Sequence, residues 1–585
     1  MFPRSMAALH LRGRVIPGSP NLPFARMHKS SYPSHGHHKP LTWKSRLLWF
    51  SAGTISSVAV LAYKSSVISD QLRHQENLCR ADTMRNDSTL PMKKTLNSFG
   101  KAQSPLKPRH NITDENMKEA RKEFLTIVGC TGIDDNPGNL KSRSSTEWSR
   151  SPVETYASFI VFPQSTKQVS EIMKVCHKRR IPVTGFSGGT SLDGALASTR
   201  GGICIDFSRM NKILELHERD MDVIVQPAVG WEDLNEYLAR VGLFFPPDPG
   251  PGAQIGGMIG TGCSGTNAYR YGTMKDWVIS TTIVLADGTI VKTRNRPRKS
   301  TAGYDLTRLM VGSSGTLGLV TEAVLKVTAK PENVQVAVIA FPSTYKAVST
   351  VIDAVQRGLP LAALELLDEN TMSAVNQSGY TDKEYKVTPT LFVKFSGTKE
   401  AVKEQINVLG ALAEKYGRES FESSGDPEEI DALWSARKTA LWSFIAQKRD
   451  PDDKFLSSDV AVPISRLADI IEETKDMVQK VDLLGSTLGH VGDGNFHTGI
   501  LYGEKDKAVA EKIIADLQRR AVEMEGTVTG EHGVGLALRD MLEEELGENA
   551  IDMMRKIKFA LDPLCLLNCD KIVRVEAAEP SEEPA

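Results

Sequence analysis

The sequence predicts an α+β protein with two folded domains, and three observations carry that reading. At 585 residues the chain is too long for one ordinary hydrophobic core. From residue 157 onward, short apolar strand runs are mixed with amphipathic helical stretches, joined mostly by short links. After Lys330-Pro331 the same mixture restarts with different content, which marks a second domain.

The elements follow in order. Ser158–Phe162 is a short apolar strand, and Ser165-Thr166 opens a helix carrying Val169, Ile172, Met173 and Cys176 on one face. Ile181–Thr184 reads as the next strand, followed by Gly202–Asp206, Asp222–Gln226, Thr282–Ala286 and Ile290–Lys292, with a helix beginning near Trp231. In the second domain Gln335–Phe341 and Thr390–Phe395 are strands, and Tyr345–Arg357 and Lys399–Tyr416 are helices. A mostly helical tail runs from Ala508 to about Asp562.

Composition excludes several classes. Charged residues make up 24% and cancel to a net charge of −1, so no nucleic-acid partner is indicated. The seven cysteines are scattered, odd in number and without CxxC or CxxCH spacing, which argues against a disulfide framework, a thiolate zinc site and attached haem. The N-terminus is less neutral. No Asp or Glu precedes Asp70, whereas Arg4, Arg12, Arg14, Arg26, Lys29, Lys39, Lys44 and Arg46 are basic, the composition of a mitochondrial transit segment over residues 1–46. The uncharged run Leu47–Tyr63, bounded by Arg46 and Lys64, would span roughly 26 Å as a helix, the short edge of a bilayer core. A spanning helix would keep the basic flank in the matrix and place the body in the intermembrane space; a buried or interfacial helix is the other reading. Residues 64–152 read as linker and an N-terminal helix region, 153–331 and 332–575 as the two domains, and 576–585 as a tail.

Three glycine-rich tracts share the first domain. Thr184, Gly185, Phe186, Ser187, Gly188, Gly189, Thr190 and Ser191 form the first. The second runs from Pro247 and Asp248 through Gly256, Gly257, Gly262, Cys263, Ser264, Gly265, Thr266 and Asn267 to Tyr271 and Gly272. Gly315, Gly318, Leu319 and Val320 belong to the third. Backbone N–H groups in such turns can converge on phosphate, because glycine tolerates the dihedrals and lets the backbone approach. The first tract alone is neither GxGxxG nor a Walker A run, and reads as a tight turn as readily as a phosphate cradle. Three tracts together imply an extended ligand touched by backbone along its length.

The second domain carries His490, His497, Glu531 and His532 in glycine-rich surroundings. Gly492–Asn495 reads as a turn that can bring both imidazoles to one divalent cation, with Glu531 as third ligand; imidazole with carboxylate suits Zn, or else Mn. His532 then stands as general base. Neighbours in a strand face opposite sides, so Glu531 and His532 can share one site only if the backbone there is irregular. Arg437, in a helical stretch with Trp434 and Leu441 on its face, points inward and is either a structural ion pair or an anion clamp.

The glycine tracts resemble the FAD-binding domain of the vanillyl-alcohol-oxidase-type (PCMH-type) flavoproteins. His490–His497 and Glu531–Gly535 resemble the FAD-linked oxidase C-terminal domain of their 2-hydroxy-acid dehydrogenase branch. The resemblance covers about Val153 to Val573. It implies a two-subdomain FAD-binding domain followed by an α+β C-terminal domain, with residues 185–191 around the FAD pyrophosphate. Gly188-Gly189 stands where covalent members commonly carry a His, which implies non-covalent FAD. The implied chemistry is oxidation of a D-2-hydroxy acid: the cation at the C2 oxygen, Arg437 on the carboxylate, His532 taking the hydroxyl proton, and hydride passing from C2 to the flavin. In the hydroxyglutarate-specific pattern a Thr follows that Arg by four residues and a Lys precedes an Asp by two; here Leu441 and Ser457 stand at those places, before Asp459. A missing cation and an added aliphatic group favour D-lactate, oxidised to pyruvate, over D-2-hydroxyglutarate, while glycolate stays open. With no haem motif, electrons would leave to an external acceptor, cytochrome c, at the inner mitochondrial membrane.

Overall fold

The computed structural model describes residues 109–146, 149–150 and 155–575. The expected transit segment, the candidate membrane helix 47–63 and the tail 576–585 lie outside the described residues. Among the described residues no helix is long and apolar enough to cross a membrane.

The first domain is built on two main sheets, beside a two-stranded ladder of Leu243–Phe244 with Thr328–Ala329. A four-stranded sheet has the order Ile133–Asp134, Phe159–Val161, Ile203–Asp206, Val183–Phe186, and its last three strands run parallel. Parallel strands need a crossover, and Thr166–Arg179 supplies it; Ser165 caps that helix through the amide of Gln168. An earlier helix, Asp114–Val128, buries Met117, Ala120, Phe124 and Val128 in the same core. The second sheet is antiparallel and five-stranded: Ile213–His217, Asp222–Val225, Leu319–Lys326, Val278–Val284, Ile290–Lys292. The short helix Ile255–Thr261, from the middle glycine tract, packs in its core.

The second domain is built on an eight-stranded sheet. Its main path runs Ser420–Ser424, Asn333–Ala340, Thr390–Gly397, Ala363–Leu367, Leu484–His490, Asn495–Tyr502, Lys454–Ser457, with Val460–Ala461 also pairing to Asn495–Tyr502. Alternation decides which helices cover which face. Ala337, Ile339, Leu364, Leu366, Leu391 and Val393 meet the helices Thr344–Gln356, Lys399–Lys415 and Leu467–Gln479. Val336, Val338, Ala363, Leu367 and Phe392 meet Glu369–Ser378 and Pro427–Ile445.

The end of the second domain reaches back to the first. After the helix Glu548–Leu561 the chain returns to the first sheet, where Val183 N–H donates to Leu566 O (2.8 Å) and Asn568 N–H donates to Val183 O (2.9 Å). Buried Lys558 pins this return, its Nζ donating to Thr316 O, Leu567 O and the Asp562 carboxylate. The cysteines are also less scattered than their spacing suggests: Cys565 and Cys569 bury their sulfurs 3.3 Å apart as free thiols.

Candidate active site

The glycine tracts converge on one cavity of about 370 Å³. Gly185, Phe186, Ser187, Gly188, Gly189, Thr190 and Ser191 line one side, and Gly256, Gly257 and Cys263 another. Gly315, Gly318, Leu319 and Val320 close it, and Asn568 enters from the returning tail. Close approach explains the glycine at 188: a Cβ there would lie 2.7 Å from Gly252 O and 3.0 Å from Gln254 N. Ser187 Oγ ties the first loop to Pro227 O and Gln254 Oε1, each at 3.0 Å. Asn568 Oδ1 accepts from Gly185 N–H at 3.1 Å. The Ser191 hydroxyl lines the cavity, is buried, and has no protein partner. A buried polar group without a partner is costly, so an acceptor-rich ligand such as the FAD pyrophosphate fits this wall.

Ten of the residues expected against the cofactor are not in the cavity wall; they shape the loops that are. Thr184 accepts from Ser198 Oγ beneath the first loop. Asp248 accepts from Thr266 Oγ1 and Asn267 N–H, and Asn267 Nδ2 donates to Pro246 O beside Pro247. Gly265, at φ +136°, packs where a Cβ would meet Asp248 O at 2.5 Å. Gly262 ends the helix Ile255–Thr261 with φ +73°, and Gly272 follows Tyr271 with φ +75°. Tyr271 packs edge-on against Phe244 and Trp277. Ser264 donates to Glu531 Oε2 at 2.7 Å, joining the two domains. Spacing along a glycine tract cannot separate residues that touch a ligand from those that bend the chain around it.

Glu531 and His532 line the same cavity. The loop Thr529–Gly535 is irregular, with Gly533 and Gly535 at φ +81° and +52°, so the two side chains share one side. Asp459, which the sequence reading left without a role, organises this loop. Its Oδ2 accepts from Thr529 Oγ1 (2.7 Å), Glu531 N–H (3.0 Å) and His532 N–H (2.8 Å), and its Oδ1 from Asn495 Nδ2 (3.1 Å). Burial pushes the Asp459 carboxyl up, but His532, His497 and the His532 amide outweigh it, so its titration lies below the ordinary range.

The hairpin Leu484–His490 to Asn495–Tyr502 places its two imidazoles 5.6 Å apart, nearly perpendicular. Both aim at one oxygen: His490 Nε2 is 3.3 Å and His497 Nε2 3.2 Å from Glu531 Oε1. His532 stacks on His497 with centroids 5.1 Å apart, its Nδ1 3.8 Å from Asp459 Oδ2 and its Nε2 3.9 Å from Glu531 Oε1. His490 Nδ1 faces Glu365 Oε1 at 2.9 Å, and His497 Nδ1 faces Ser458 O at 3.2 Å. These acceptors favour a proton on each Nδ1, so in the neutral rings both Nε2 lone pairs are aimed at a carboxylate oxygen. Lone pairs facing an anion repel unless positive charge lies between them. Ligands about 2.1 Å from a tetrahedral cation stand about 3.4 Å apart, close to the two imidazole–Glu531 separations, and Asp459, His497, Glu531 and His532 also bring ligand atoms within 4.8 Å of one another. Burial pushes the His490 imidazole down, but Glu365 and Glu531 outweigh it and hold its pKa well above the ordinary value. Burial likewise raises Glu531, and the two histidines bring it well below the usual carboxylate range. The pocket therefore calls for positive charge between these groups, which a proton held by His490 or a divalent cation can supply.

Arg437 lies on the helix Pro427–Ile445, where its Nε donates to Glu365 Oε2 at 2.9 Å and its Nη2 forms an ion pair with the same oxygen at 2.8 Å. The ion pair exists, and it occupies only one edge of the guanidinium. Leu441, one turn on, lines the cavity. Sequence reasoning missed Glu365 and the strand Ala363–Leu367 that carries it. The available signal was a single charge inside the apolar run Leu361–Leu367.

Comparison with known proteins agrees with this architecture. The FAD binding domain family matches residues 157–294, and the family described as FAD linked oxidases, C-terminal domain, matches residues 330–572. The mitochondrial D-lactate dehydrogenase (cytochrome) of Kluyveromyces lactis is 49% identical over 424 residues, covering 71% of this chain and 74% of that protein. The mitochondrial D-lactate dehydrogenase (cytochrome) 1 of Saccharomyces cerevisiae is 46% identical over 432 residues, covering 72% and 74%. Among solved structures, the 4-ethylphenol oxidase of Gulosibacter chungangensis superposes with a TM-score of 0.66 over 79% of this chain and 98% of its own, at 18% identity, a likeness of fold alone. With its cofactor cavity shared between the two matched domains, the chain is a flavin-dependent oxidoreductase and belongs to the family of the D-lactate dehydrogenases (cytochrome).

Proposed function

We propose that the protein oxidises D-lactate to pyruvate using FAD and a divalent cation, Zn or else Mn, and passes the electrons to cytochrome c. The observation that carries this reading is that Glu531 and His532 line the same cavity as the three glycine tracts, next to the His490–His497 pair. Bound there, non-covalent FAD supplies a two-electron acceptor and the cation a Lewis acid that makes a hydroxyl more acidic. The chain's residues do the rest. His490, His497 and Glu531 would hold the cation. His532, with Nδ1 turned to Asp459, accepts the substrate's C2 hydroxyl proton at Nε2. Arg437, fixed by Glu365 along its Nε/Nη2 edge, offers its remaining N–H groups to the substrate carboxylate. Leu441 in the cavity wall leaves no partner for a second carboxylate and so favours a short acid. The names of the relatives support lactate, a cytochrome acceptor and a mitochondrial location. The sequence reading places the body in the intermembrane space, where cytochrome c is available.

Stopped-flow reduction of the bound flavin by individual hydroxy acids tests the proposal. D-lactate should bleach the flavin fastest and a chelator should abolish the reaction; faster bleaching by D-2-hydroxyglutarate or glycolate would reassign the substrate. His532→Ala should keep its FAD and reduce it roughly 10²–10⁴-fold more slowly. An unchanged rate removes His532 as the base.

A further inference from the structure

Glu365 lies mid-strand in Ala363–Leu367, at the centre of the second domain's sheet, and is 1% exposed. Isolated carboxylates are not buried so deeply without partners, and both oxygens here have one. Oε1 faces His490 Nδ1 at 2.9 Å, while Oε2 accepts from Arg437 Nε at 2.9 Å and lies 2.8 Å from the Nη2 charge. One carboxylate thus joins a residue aimed at the cation position to the residue offered to the substrate carboxylate.

We infer that Glu365 is a positioning residue that sets the His490 tautomer through one oxygen and the exposed edge of Arg437 through the other. The inference rests on the cation-and-clamp reading above. Its first half follows from the two nitrogens of imidazole. A proton kept at Nδ1 by an anion leaves Nε2 able to ligate, and carboxylates behind metal-binding histidines act in this way. Its second half follows from guanidinium geometry. Arginine has five N–H donors in one plane; Glu365 uses the side edge and leaves the end edge free for a second, bidentate carboxylate. Helix Pro427–Ile445 alone would leave this long side chain free to rotate.

The discriminating variant is Glu365→Gln, which has the same shape but one acceptor oxygen and one NH₂. Arg437 can only donate, so it claims the oxygen, and the NH₂ then turns to His490 Nδ1. That nitrogen must now accept, which moves the ring proton to Nε2 and removes the ligand lone pair. In the FAD-loaded, full-length protein, competition with a chromophoric chelator should show Zn²⁺ held about 10- to 100-fold more weakly, with FAD stoichiometry unchanged. KM for D-lactate, measured with the variant saturated in Zn²⁺, should stay near wild type, because Arg437 keeps its acceptor. Glu365→Ala should weaken Zn²⁺ and also raise KM. Glu365→Asp, which keeps a carboxylate at the expense of length, should retain Zn²⁺ better than the isosteric Gln; a purely structural role gives the reverse order. Zn²⁺ affinity in the Gln variant equal to wild type, or better retained than in the Asp variant, overturns the inference. Wild-type protein that binds neither Zn²⁺ nor Mn²⁺ would instead refute the underlying functional proposal.

Discussion

Asp459 offers the sharpest test of how the site is built. Its side chain is fully buried, and its Oδ2 accepts the Glu531 and His532 amides and the Thr529 hydroxyl. Asp459→Ala strands these three donors within the protein. Each buried donor left without a partner costs about 1–3 kcal/mol; relaxation and water entry recover part of that, so a local loss of about 3–5 kcal/mol is expected. The loss falls on opening of the Thr529–Gly535 loop rather than on global unfolding, because among the described residues of the sheet only Asn495 also hydrogen-bonds the Asp459 carboxylate, and its side-chain amide keeps Val460 O. Hydrogen–deuterium exchange resolved to short peptides reads it directly. With opening rapid and reversible, 3–5 kcal/mol raises exchange at Glu531 and His532 roughly 10²- to 10⁴-fold. Thr527, just outside that loop, is an internal control, since its N–H donates to Ala461 O at 2.8 Å and that bond does not involve Asp459. Cation retention should fall with loop order, whereas FAD content should not. Unchanged protection of Glu531 and His532 in the Ala variant would refute the claim that this carboxylate holds the Thr529–Gly535 loop.

Two further outcomes follow from the same structure. Burial pushes the Asp368 carboxyl from 3.8 up to about 7, partly offset by its bonds to Thr371. A carboxyl raised on folding costs nothing below about pH 3.8; stability is then lost as pH rises through about 7, by about 4 kcal/mol in total. Denaturation midpoints between pH 4.5 and 8 should therefore fall by about 3 kcal/mol more in wild type than in Asp368→Asn, and a pH-independent difference between the two would contradict this. Gly188→Ala would force the first glycine loop away from Gly252 and Gln254, an overpacking of about 1–3 kcal/mol, or roughly 5- to 150-fold in FAD affinity. A variant that titrates with FAD like wild type would show that the two loops need not approach each other.

Much of the site was readable because its chemistry is local in the chain. His490 and His497 sit on the two strands of one hairpin, and Glu531 and His532 are adjacent on an irregular glycine loop, so short-range rules were enough to pair them. Strand alternation and helical periodicity likewise marked most elements. The tertiary structure alone decided what lies behind those residues. Glu365 meets His490 across 125 positions, Ser264 meets Glu531 across 267, and Asn568 meets Gly185 across 383. The order of the eight strands, which brings Ala363–Leu367 beside Leu484–His490, has no counterpart in any local pattern. Backbone periodicity records which face of an element is buried, because burial is a property of single residues. Partner choice between buried polar groups depends on how separate elements dock, and no spacing within one element encodes it.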